Sequence, residues 1–197
     1  MEERKTLDTE YFRKVYAAND DPWNFETSEY EAEKYAATLA ALPKQRYENA
    51  LEIGCSIGVL TQLLAHRCTR LLATDVSQKA LDAAIARCSN LHNITFQCLR
   101  FPEELPDAKF DLIMVSEVAY YLSPADWETA MDSLYTRLLP GGNIVLVHWL
   151  PEVHDYPQTG DEVHESFAGN MQGKMTNVFN SRAENYRIDV WEKSGTE

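Results

Sequence analysis

Long apolar runs are absent from this sequence. No stretch approaches the ~18 consecutive apolar residues that a membrane-spanning helix needs. Residues 1–12 also lack the apolar segment of a secretory signal peptide. These absences predict a cytoplasmic protein that has no membrane partner.

Cysteines are few, and their spacing is uninformative about metals. Cys55, Cys68, Cys88 and Cys98 form no Cys-x-x-Cys pair. Redox motifs and zinc sites depend on such spacing. We therefore expect reduced, mostly buried thiols and no metal site.

Basic residues are scarce relative to acidic ones. The chain has 18 Lys and Arg against 31 Asp and Glu, which gives a formal net charge of −13. A charge of this sign repels phosphate backbones and anionic lipid surfaces. We expect no nucleic-acid partner. The excess negative charge serves either solubility alone or the attraction of a cationic, amine-bearing substrate.

Apolar runs and helical patterns alternate along the middle of the chain. Continuous apolar runs such as residues 110–118 are typical of parallel strands that are buried on both faces. We therefore expect one doubly wound α/β domain with a mostly parallel sheet of about seven strands. The predicted strands are residues 49–53, 70–75, 93–98, 110–115 and 142–149, and the predicted helices are residues 58–66, 77–88 and 124–138.

A glycine-containing turn follows the first predicted strand. The dinucleotide-binding fingerprint has glycines at its first, third and sixth positions, which here are Gly54, Ser56 and Val59. Ser56 and Val59 stand where the fingerprint requires glycine, so two of its three glycine positions do not match. Asp75 ends the second predicted strand, 17 residues after Gly58. A carboxylate at that point can accept two hydrogen bonds from a ribose diol, so we expect an adenosine-bearing ligand other than a nicotinamide dinucleotide.

The pattern from Glu52 through Gly54 to Gly58 resembles the nucleotide-binding turn of class I S-adenosylmethionine methyltransferases, usually written Asp/Glu-x-Gly-x-Gly-x-Gly. Ser56 replaces the middle glycine and is small enough to let the backbone approach a ligand. Residues 110–124 resemble the fourth-strand segment of that superfamily. This resemblance implies a Rossmann-like methyltransferase fold that uses S-adenosyl-L-methionine and releases S-adenosyl-L-homocysteine.

A closer resemblance includes the N-terminal part of the chain. Residues 20–35, 50–58 and 116–122 together resemble the nodulation N-methyltransferases of the NodS family. That family methylates the free amine of a deacetylated chitooligosaccharide. The tail beyond His148 does not match it. The resemblance implies a small acceptor that carries an amine, such as an amino sugar. A small-molecule or sugar O-methyltransferase and a non-catalytic nucleotide-binding module are the alternatives.

We expect the single domain to have three parts. Residues 1–43 form a helical lid, in which Thr27 or Ser28 caps a helix that begins near Glu29. Residues 47–149 form the donor-binding core. Residues 150–197 cover the acceptor side and end in an antiparallel β-hairpin. The sequence gives no prediction of oligomeric state.

The resemblance implies a role for each donor-site residue. Glu52 would meet the donor's amino group, and Asp75 would accept the ribose hydroxyls unless it only caps a helix. Gly54 and Gly58 would leave room for the methionyl and ribose groups. Lys34 would pair with the donor carboxylate, or would be an ordinary solvated lysine. The other expected donor-site residues are Trp23, Tyr30, Cys55, Ser56, Val76, Ser116 and Glu117, together with Arg100 and Phe101. The family has an acidic residue after the third strand where this chain has Arg100, so we expect Phe101 to pack on the adenine.

His148, at the end of the fifth predicted strand, is the candidate proton acceptor, unless it is purely structural. Tyr120 and Glu117 would assist it. An acidic rim would attract an amine to the acceptor mouth. The residues expected at this mouth are His154, Asp155, Asp161, Glu162 and His164. We expect no metal there, because His148, His154 and His164 lie on a strand end, a loop and a helix.

Overall fold

Seven strands form one sheet in the order β3-β2-β1-β4-β5-β7-β6, in a computed structural model that describes residues 4–195. Strands β1 to β5 are parallel, and β7 and β6 are antiparallel to their neighbours. The predicted fold class, including the C-terminal hairpin, is confirmed. The strands are β1 (Ala50–Ile53), β2 (Leu71–Asp75), β3 (Ile94–Cys98), β4 (Phe110–Ser116), β5 (Leu138–Trp149), β6 (Met175–Arg182) and β7 (Tyr186–Lys193).

Helices cover both faces of this sheet and its carboxyl edge. Their starts follow local capping chemistry, since Ser28, Ser77 and Ser123 each accept a backbone N–H at a helix N-terminus. Ser77, not Asp75, is therefore the cap that follows β2. The helices are α1 (Thr9–Ala18), α2 (Glu29–Ala40), α3 (Val59–Leu64), α4 (Gln78–Arg87), α5 (Pro124–Arg137) and α6 (Gly160–Asn170).

Strand β5 is longer than its predicted range of 142–149. It begins at Leu138, which pairs with Phe110, and its register against β4 then shifts before Asn143 pairs with Leu112. Pro140 lies in the irregular stretch, where its missing N–H removes no ladder hydrogen bond. The strand pattern therefore extends through the Pro-Gly-Gly turn.

Two apolar layers hold the sheet. Trp127 of α5 and Phe167 of α6 stack on one face at 6.0 Å between ring centroids. Tyr47 and Leu64 are fully buried on the other face. Burial of such large side chains stabilises a fold by about 1.5–3 kcal/mol each. Within residues 4–195, no helix combines the length and the apolar character needed to cross a membrane.

The chain order reverses beside β1, because β2 and β3 lie on one side of it and β4 and β5 on the other. Ligands of open parallel sheets bind beyond the carboxyl ends of the strands at such a point. Helix α1 lies over this edge: the hydroxyls of Tyr16 and Ser56 are 2.6 Å apart, and the rings of Phe12 and Tyr121 are 5.0 Å apart. The fold thus encloses a site where β1 and β4 end.

Candidate active site

A cavity of about 450 Å³ lies at the carboxyl edge of the sheet, where the chain order reverses. Its walls are the ends of β1, β2, β4 and β5 together with α1 and α2. All the predicted catalytic and donor-site residues except Gly58 and His148 line it. The residues that the structure brings together are Trp23, Tyr30, Lys34, Glu52, Gly54, Cys55, Ser56, Asp75, Val76, Arg100, Phe101, Ser116, Glu117 and Tyr120.

The turn after β1 is held in a left-handed backbone. The φ angles of Gly54, Ser56 and Gly58 are +74°, +50° and +81°. A Cβ at Gly54 would lie 2.2 Å from Val118 Cγ2, and one at Gly58 would lie 2.9 Å from Cα of Ala84. The structure gives a reason for Gly58 within the protein itself, because a side chain there would collide with Ala84 of α4. At Gly54 the first collision is likewise with the protein.

Asp75 fastens this turn to the end of β2. Its Oδ2 accepts the Ser56 N–H at 2.9 Å, and its Oδ1 accepts the Ser77 N–H at 2.8 Å. Burial raises the pKa of Asp75 to about 6, although the two backbone N–H groups oppose the rise. Each carboxylate oxygen has a second lone pair, so Asp75 can still accept hydrogen bonds from a ligand.

Glu52 carries a buried oxygen without a partner. The residue is 2% exposed, and its Oε2 accepts no hydrogen bond. Burial raises the pKa of Glu52 to about 7; the nearby Thr61 hydroxyl opposes the rise, and the negative charge of Asp75 adds to it. An unpaired buried acceptor costs about 1–3 kcal/mol. A cationic or N–H donor in the cavity would remove this cost.

The residues that follow β3 close one end of the cavity. Leu99 donates its N–H to the Asp75 carbonyl at 3.0 Å, and Phe101 packs against the main core. Arg100 is exposed and pairs with Glu103 at 3.4 Å. Phe101 and Leu99 therefore offer apolar surface to a flat ring. Leu99 was not predicted, although it is the first apolar residue after β3.

Glu117 lies at the centre of the opposite end. Its Oε1 accepts from Lys34 Nζ at 2.6 Å. Its Oε2 accepts from the Tyr120 hydroxyl at 2.5 Å and from the Trp149 N–H at 2.9 Å. The φ of Glu117 is +56°, a conformation that costs a non-glycine residue of order 1–3 kcal/mol. Three hydrogen bonds thus hold the carboxylate of Glu117, whose backbone is strained, in place.

Lys34 is a buried cation between two carboxylates. It is 1% exposed and pairs with Glu31 at 3.0 Å as well as with Glu117. Burial alone would lower the pKa of Lys34, but the two carboxylates reverse the shift and raise it. The alternative of a solvated lysine is therefore wrong. Two of its three N–H donors are used, and the third is available to a ligand.

Aromatic rings form the walls around Glu117. Tyr120 stacks on Tyr156 with ring centroids 4.9 Å apart, and Tyr30 meets Trp149 edge-on at 5.6 Å. We call these rings, with their two neighbours, the aromatic end of the cavity. Its members are Phe12, Tyr30, Tyr120, Tyr121, Trp149 and Tyr156. The hydroxyl of Tyr30 is buried without a partner, which leaves a polar group for a ligand to meet.

His148 does not reach the cavity. Its ring is fully buried; Nε2 accepts the Ala119 N–H at 3.2 Å, and Nδ1 lies 3.1 Å from His164 Nε2. Burial holds the pKa of His148 well below its usual range. The predicted role of His148 as proton acceptor is therefore wrong. Its side chain points to the α6 side of the sheet, because strand side chains alternate between faces.

The predicted acidic rim is also wrong. Asp161 pairs with Arg182 at 2.6 Å and with Arg187 at 3.5 Å. Glu162 belongs to a capping box with Thr159. Neither carboxylate lines the cavity, and neither do the remaining residues expected there, which are His154, Asp155 and His164. In the described part of the chain, residues 4–195, no three His, Cys, Asp or Glu side chains form a metal site.

The strand order, the glycine turn after β1 and the cavity at the reversal point define a Rossmann-like methyltransferase fold. A family model described as Nodulation protein S (NodS) matches residues 7–148, and the chain belongs to this family.

Curated relatives and solved structures agree with this family. The chain is 34% identical to nodulation protein S of Rhizobium tropici over 143 residues, which are 72% of this chain and 60% of that protein. It is 28% identical over 128 residues to an uncharacterized methyltransferase of Mycobacterium tuberculosis, covering 65% of this chain and 61% of the relative. The chain thus spans about 60% of the length of the curated relatives it matches.

Among solved structures, the N-methyltransferase NodS from Bradyrhizobium japonicum WM9 was crystallised with S-adenosyl-L-homocysteine. It superposes on this chain with a TM-score of 0.79 at 26% identity, covering 95% of this chain and 99% of that one. A putative methyltransferase from Pseudomonas syringae gives a TM-score of 0.73 at 32% identity, covering 84% of this chain and 100% of that one.

Proposed function

We propose that this chain is an S-adenosylmethionine-dependent methyltransferase that methylates an amine of a small molecule. One observation carries the proposal: the unpaired, buried Oε2 of Glu52 lies at the cavity beside Asp75. A nucleoside with an ammonium group in its tail would satisfy both carboxylates. The NodS relative that was crystallised with S-adenosyl-L-homocysteine supports the same ligand class.

The donor residues follow from this placement. Asp75 accepts the ribose hydroxyls, and Glu52 accepts from the amino group of the methionyl tail. The third N–H of Lys34 donates to the donor carboxylate, while Phe101 and Leu99 pack on the adenine. S-adenosylmethionine supplies a methyl group that its positive sulfur already activates. The chain therefore needs to align the reacting atoms and to accept one proton.

Glu117 and Tyr120 are placed to serve the acceptor. The amine nitrogen forms a bond to the methyl carbon, and the electron pair of the breaking carbon–sulfur bond goes to sulfur. Glu117 takes the proton that the nitrogen loses, and Lys34 balances the charge of this carboxylate beforehand. The Tyr120 hydroxyl, which donates to Glu117, fixes the direction in which that carboxylate points.

Replacement of Asp75 by Ala is expected to weaken binding of S-adenosyl-L-homocysteine by about 1.5–3 kcal/mol, the range for a hydrogen bond to a charged group. Calorimetric titration measures the change. Asp82→Ala is the matched control, because Asp82 is an exposed carboxylate on α4, the helix that follows β2. Equal affinity of the folded Asp75 variant and the parent would remove Asp75 from the donor site.

Binding of S-adenosyl-L-homocysteine is expected to tighten by about tenfold between pH 6 and pH 8, because Glu52 with its pKa of about 7 must ionise to receive an ammonium group. In the free protein the raised pKa has the opposite effect on folding. It favours the folded state at low pH, and this contribution is lost as the pH rises from 4.5 through about 7.

Titrations of the parent and of Glu52→Gln at several pH values measure this dependence. The variant should bind more weakly at pH 8 and show a shallower slope, which Asp75 with its pKa of about 6 supplies. An unchanged slope in the variant would assign the proton to another group.

The predicted acceptor is an amine whose shape fits the aromatic end of the cavity. Aromatic faces suit both a cationic amine and the apolar face of a sugar ring. An amino sugar, including a deacetylated chitooligosaccharide, remains the predicted acceptor, and the solved N-methyltransferase NodS supports an amine as the methylated group. Trp149 and Tyr156 lie beyond the family match at residue 148, so this part of the wall lies outside the region that the family model covers.

An acceptor panel tests the proposed function. The protein is incubated with methyl-labelled S-adenosylmethionine and with amino sugars, chitosan oligomers, aromatic amines and phenols, and mass spectrometry identifies the methylated products. N-methylated products are expected. O-methylated products alone would establish the O-methyltransferase alternative. Donor binding without any product would establish the non-catalytic binding module and contradict the proposal.

A further inference from the structure

Two buried histidines and an aspartate form a hydrogen-bonded chain outside the cavity. His148 Nδ1 lies 3.1 Å from His164 Nε2, and His164 Nδ1 lies 2.8 Å from Asp189 Oδ2. All three residues are at most 1% exposed. We call them the histidine chain. Arg187 on β7 pairs with Asp189 at 2.9 Å and holds its carboxylate at the far end.

The Ala119 N–H at one end and the Asp189 carboxylate at the other fix the protons of the histidine chain. The N–H of Ala119 can only donate, so His148 Nε2, which is 3.2 Å away, must be unprotonated. His148 Nδ1 then carries the proton and donates to His164 Nε2. His164 Nδ1 in turn carries a proton and donates to Asp189. Both rings are neutral and share the Nδ1–H tautomer.

The His148 end of the histidine chain contacts the turn that carries Tyr120. Ala119 begins the 3₁₀ turn Ala119–Tyr121, directly after the strained Glu117 and Val118. This turn places Tyr120, whose hydroxyl donates to Glu117. The Trp149 N–H, next to His148 in β5, also donates to Glu117. The Trp149 backbone thus holds the Glu117 carboxylate directly, while the His148 side chain holds the turn that carries Tyr120.

We propose that His148 is a positioning residue: its Nε2 holds the Ala119 amide and so fixes Tyr120 and Glu117 for methyl transfer, while His164 and Asp189 set its tautomer. This inference rests on the proposed function, because it assigns Glu117 and Tyr120 to the acceptor reaction. An uncapped Ala119 N–H would be a buried donor without an acceptor, and the turn would then move to find one.

Two substitutions of His148 separate this role from simple packing. A glutamine side chain reaches about as far as Nε2 of histidine, so His148→Gln retains an acceptor for the Ala119 N–H. An asparagine side chain reaches only as far as Nδ1, so His148→Asn retains a donor to His164 but loses that acceptor. Both variants remove the same ring and the same aromatic contact with Tyr120. His92→Asn, an exposed site, is the control.

We expect His148→Asn to lower kcat by about 10–100-fold, the scale of a small misplacement of catalytic groups. His148→Gln should keep most of the parent kcat. The KM for the donor should not change in either variant, because the histidine chain does not contact β1 or β2. Equal losses of kcat in both variants, or no loss in either, would overturn the positioning role.

Nitrogen-15 NMR of the parent protein identifies the tautomers of His148 and His164, and it requires neither a variant nor turnover. Signals of the Nδ1–H tautomer for His148 and His164, with slow exchange of the Ala119 amide, are expected. A proton on Nε2 of His148 would overturn the inference even if both variants fold poorly. A parent that binds donor and methylates nothing would instead contradict the proposed function, whatever tautomer the NMR shows.

Discussion

Glu117→Gln is expected to lower kcat by about 10²–10⁴-fold, the usual contribution of a positioned acid–base group. The glutamine keeps the shape of the side chain and one acceptor oxygen. It removes the negative charge that Lys34 faces at 2.6 Å and the site that takes the proton of the amine. Donor affinity should change far less, because Lys34, the proposed partner of the donor carboxylate, keeps its ion pair with Glu31, and the other proposed donor contacts do not involve Glu117.

The measurement is single-turnover methyl transfer at saturating donor, together with titration of S-adenosyl-L-homocysteine. Glu33→Gln is the matched control, since Glu33 is exposed on α2 one residue before Lys34. Circular dichroism establishes that the Glu117 variant folds. Full turnover by a folded Glu117→Gln protein would show that another group takes the proton.

Gly54→Ala is expected to abolish detectable donor binding and to lower the free energy of unfolding by about 2–5 kcal/mol. Two separate effects add. The φ of +74° is strained for any residue with a Cβ, and the new Cβ would lie 2.2 Å from Val118 Cγ2. Either rotation of the Val118 side chain, which lines the cavity, or movement of the turn beside Asp75 relieves the overlap, and both change the donor site.

Two variants separate these effects. Gly141 has a φ of +69° and open space around it, so Gly141→Ala measures the backbone strain alone, about 1–2 kcal/mol. Adding Val118→Ala to Gly54→Ala removes the overlap but keeps the strain, and should restore part of the lost stability. Denaturant unfolding measures the free energy of unfolding, and calorimetry measures donor binding. A Gly54→Ala protein as stable as Gly141→Ala would show that the overlap is absent.

The sheet and the donor end follow directly from sequence. The predicted strands 49–53, 70–75 and 93–98 agree closely with β1, β2 and β3. Local signals are sufficient there, because buried parallel strands are apolar throughout and a carboxylate at a strand end stands out. Asp75 was identified on this basis, and Glu52 was identified from the resemblance of the glycine turn to methyltransferases; both line the cavity.

The residues of the acceptor end could not be predicted from sequence in the same way. Lys34 and Glu117 are 83 residues apart, and no local pattern shows that they pair. Sequence placed His148 correctly at a strand end, but the direction of a side chain there depends on register. One residue decides which face it occupies: Trp149 lines the cavity, and His148 points away from it.

Tyr156 illustrates a different limit. It lies in an irregular segment between β5 and α6, where turn residues dominate and periodicity gives no information. Its place in the aromatic end depends on its stacking with Tyr120 and its edge contact with Tyr121, at 4.9 and 4.8 Å. The same lack of a local pattern explains why the predicted acidic rim was wrong. The partners of Asp161 are arginines of the C-terminal hairpin, which is distant in sequence.

Calorimetric titration of the parent protein with S-adenosyl-L-homocysteine and, separately, with NAD⁺ tests most directly whether the cavity beside Glu52 and Asp75 is a methyl-donor site. Saturable binding of one S-adenosyl-L-homocysteine per chain is expected, with tightening toward pH 8 and with much weaker binding of NAD⁺. Tighter binding of NAD⁺, or no binding of S-adenosyl-L-homocysteine at any pH between 6 and 8, would contradict it.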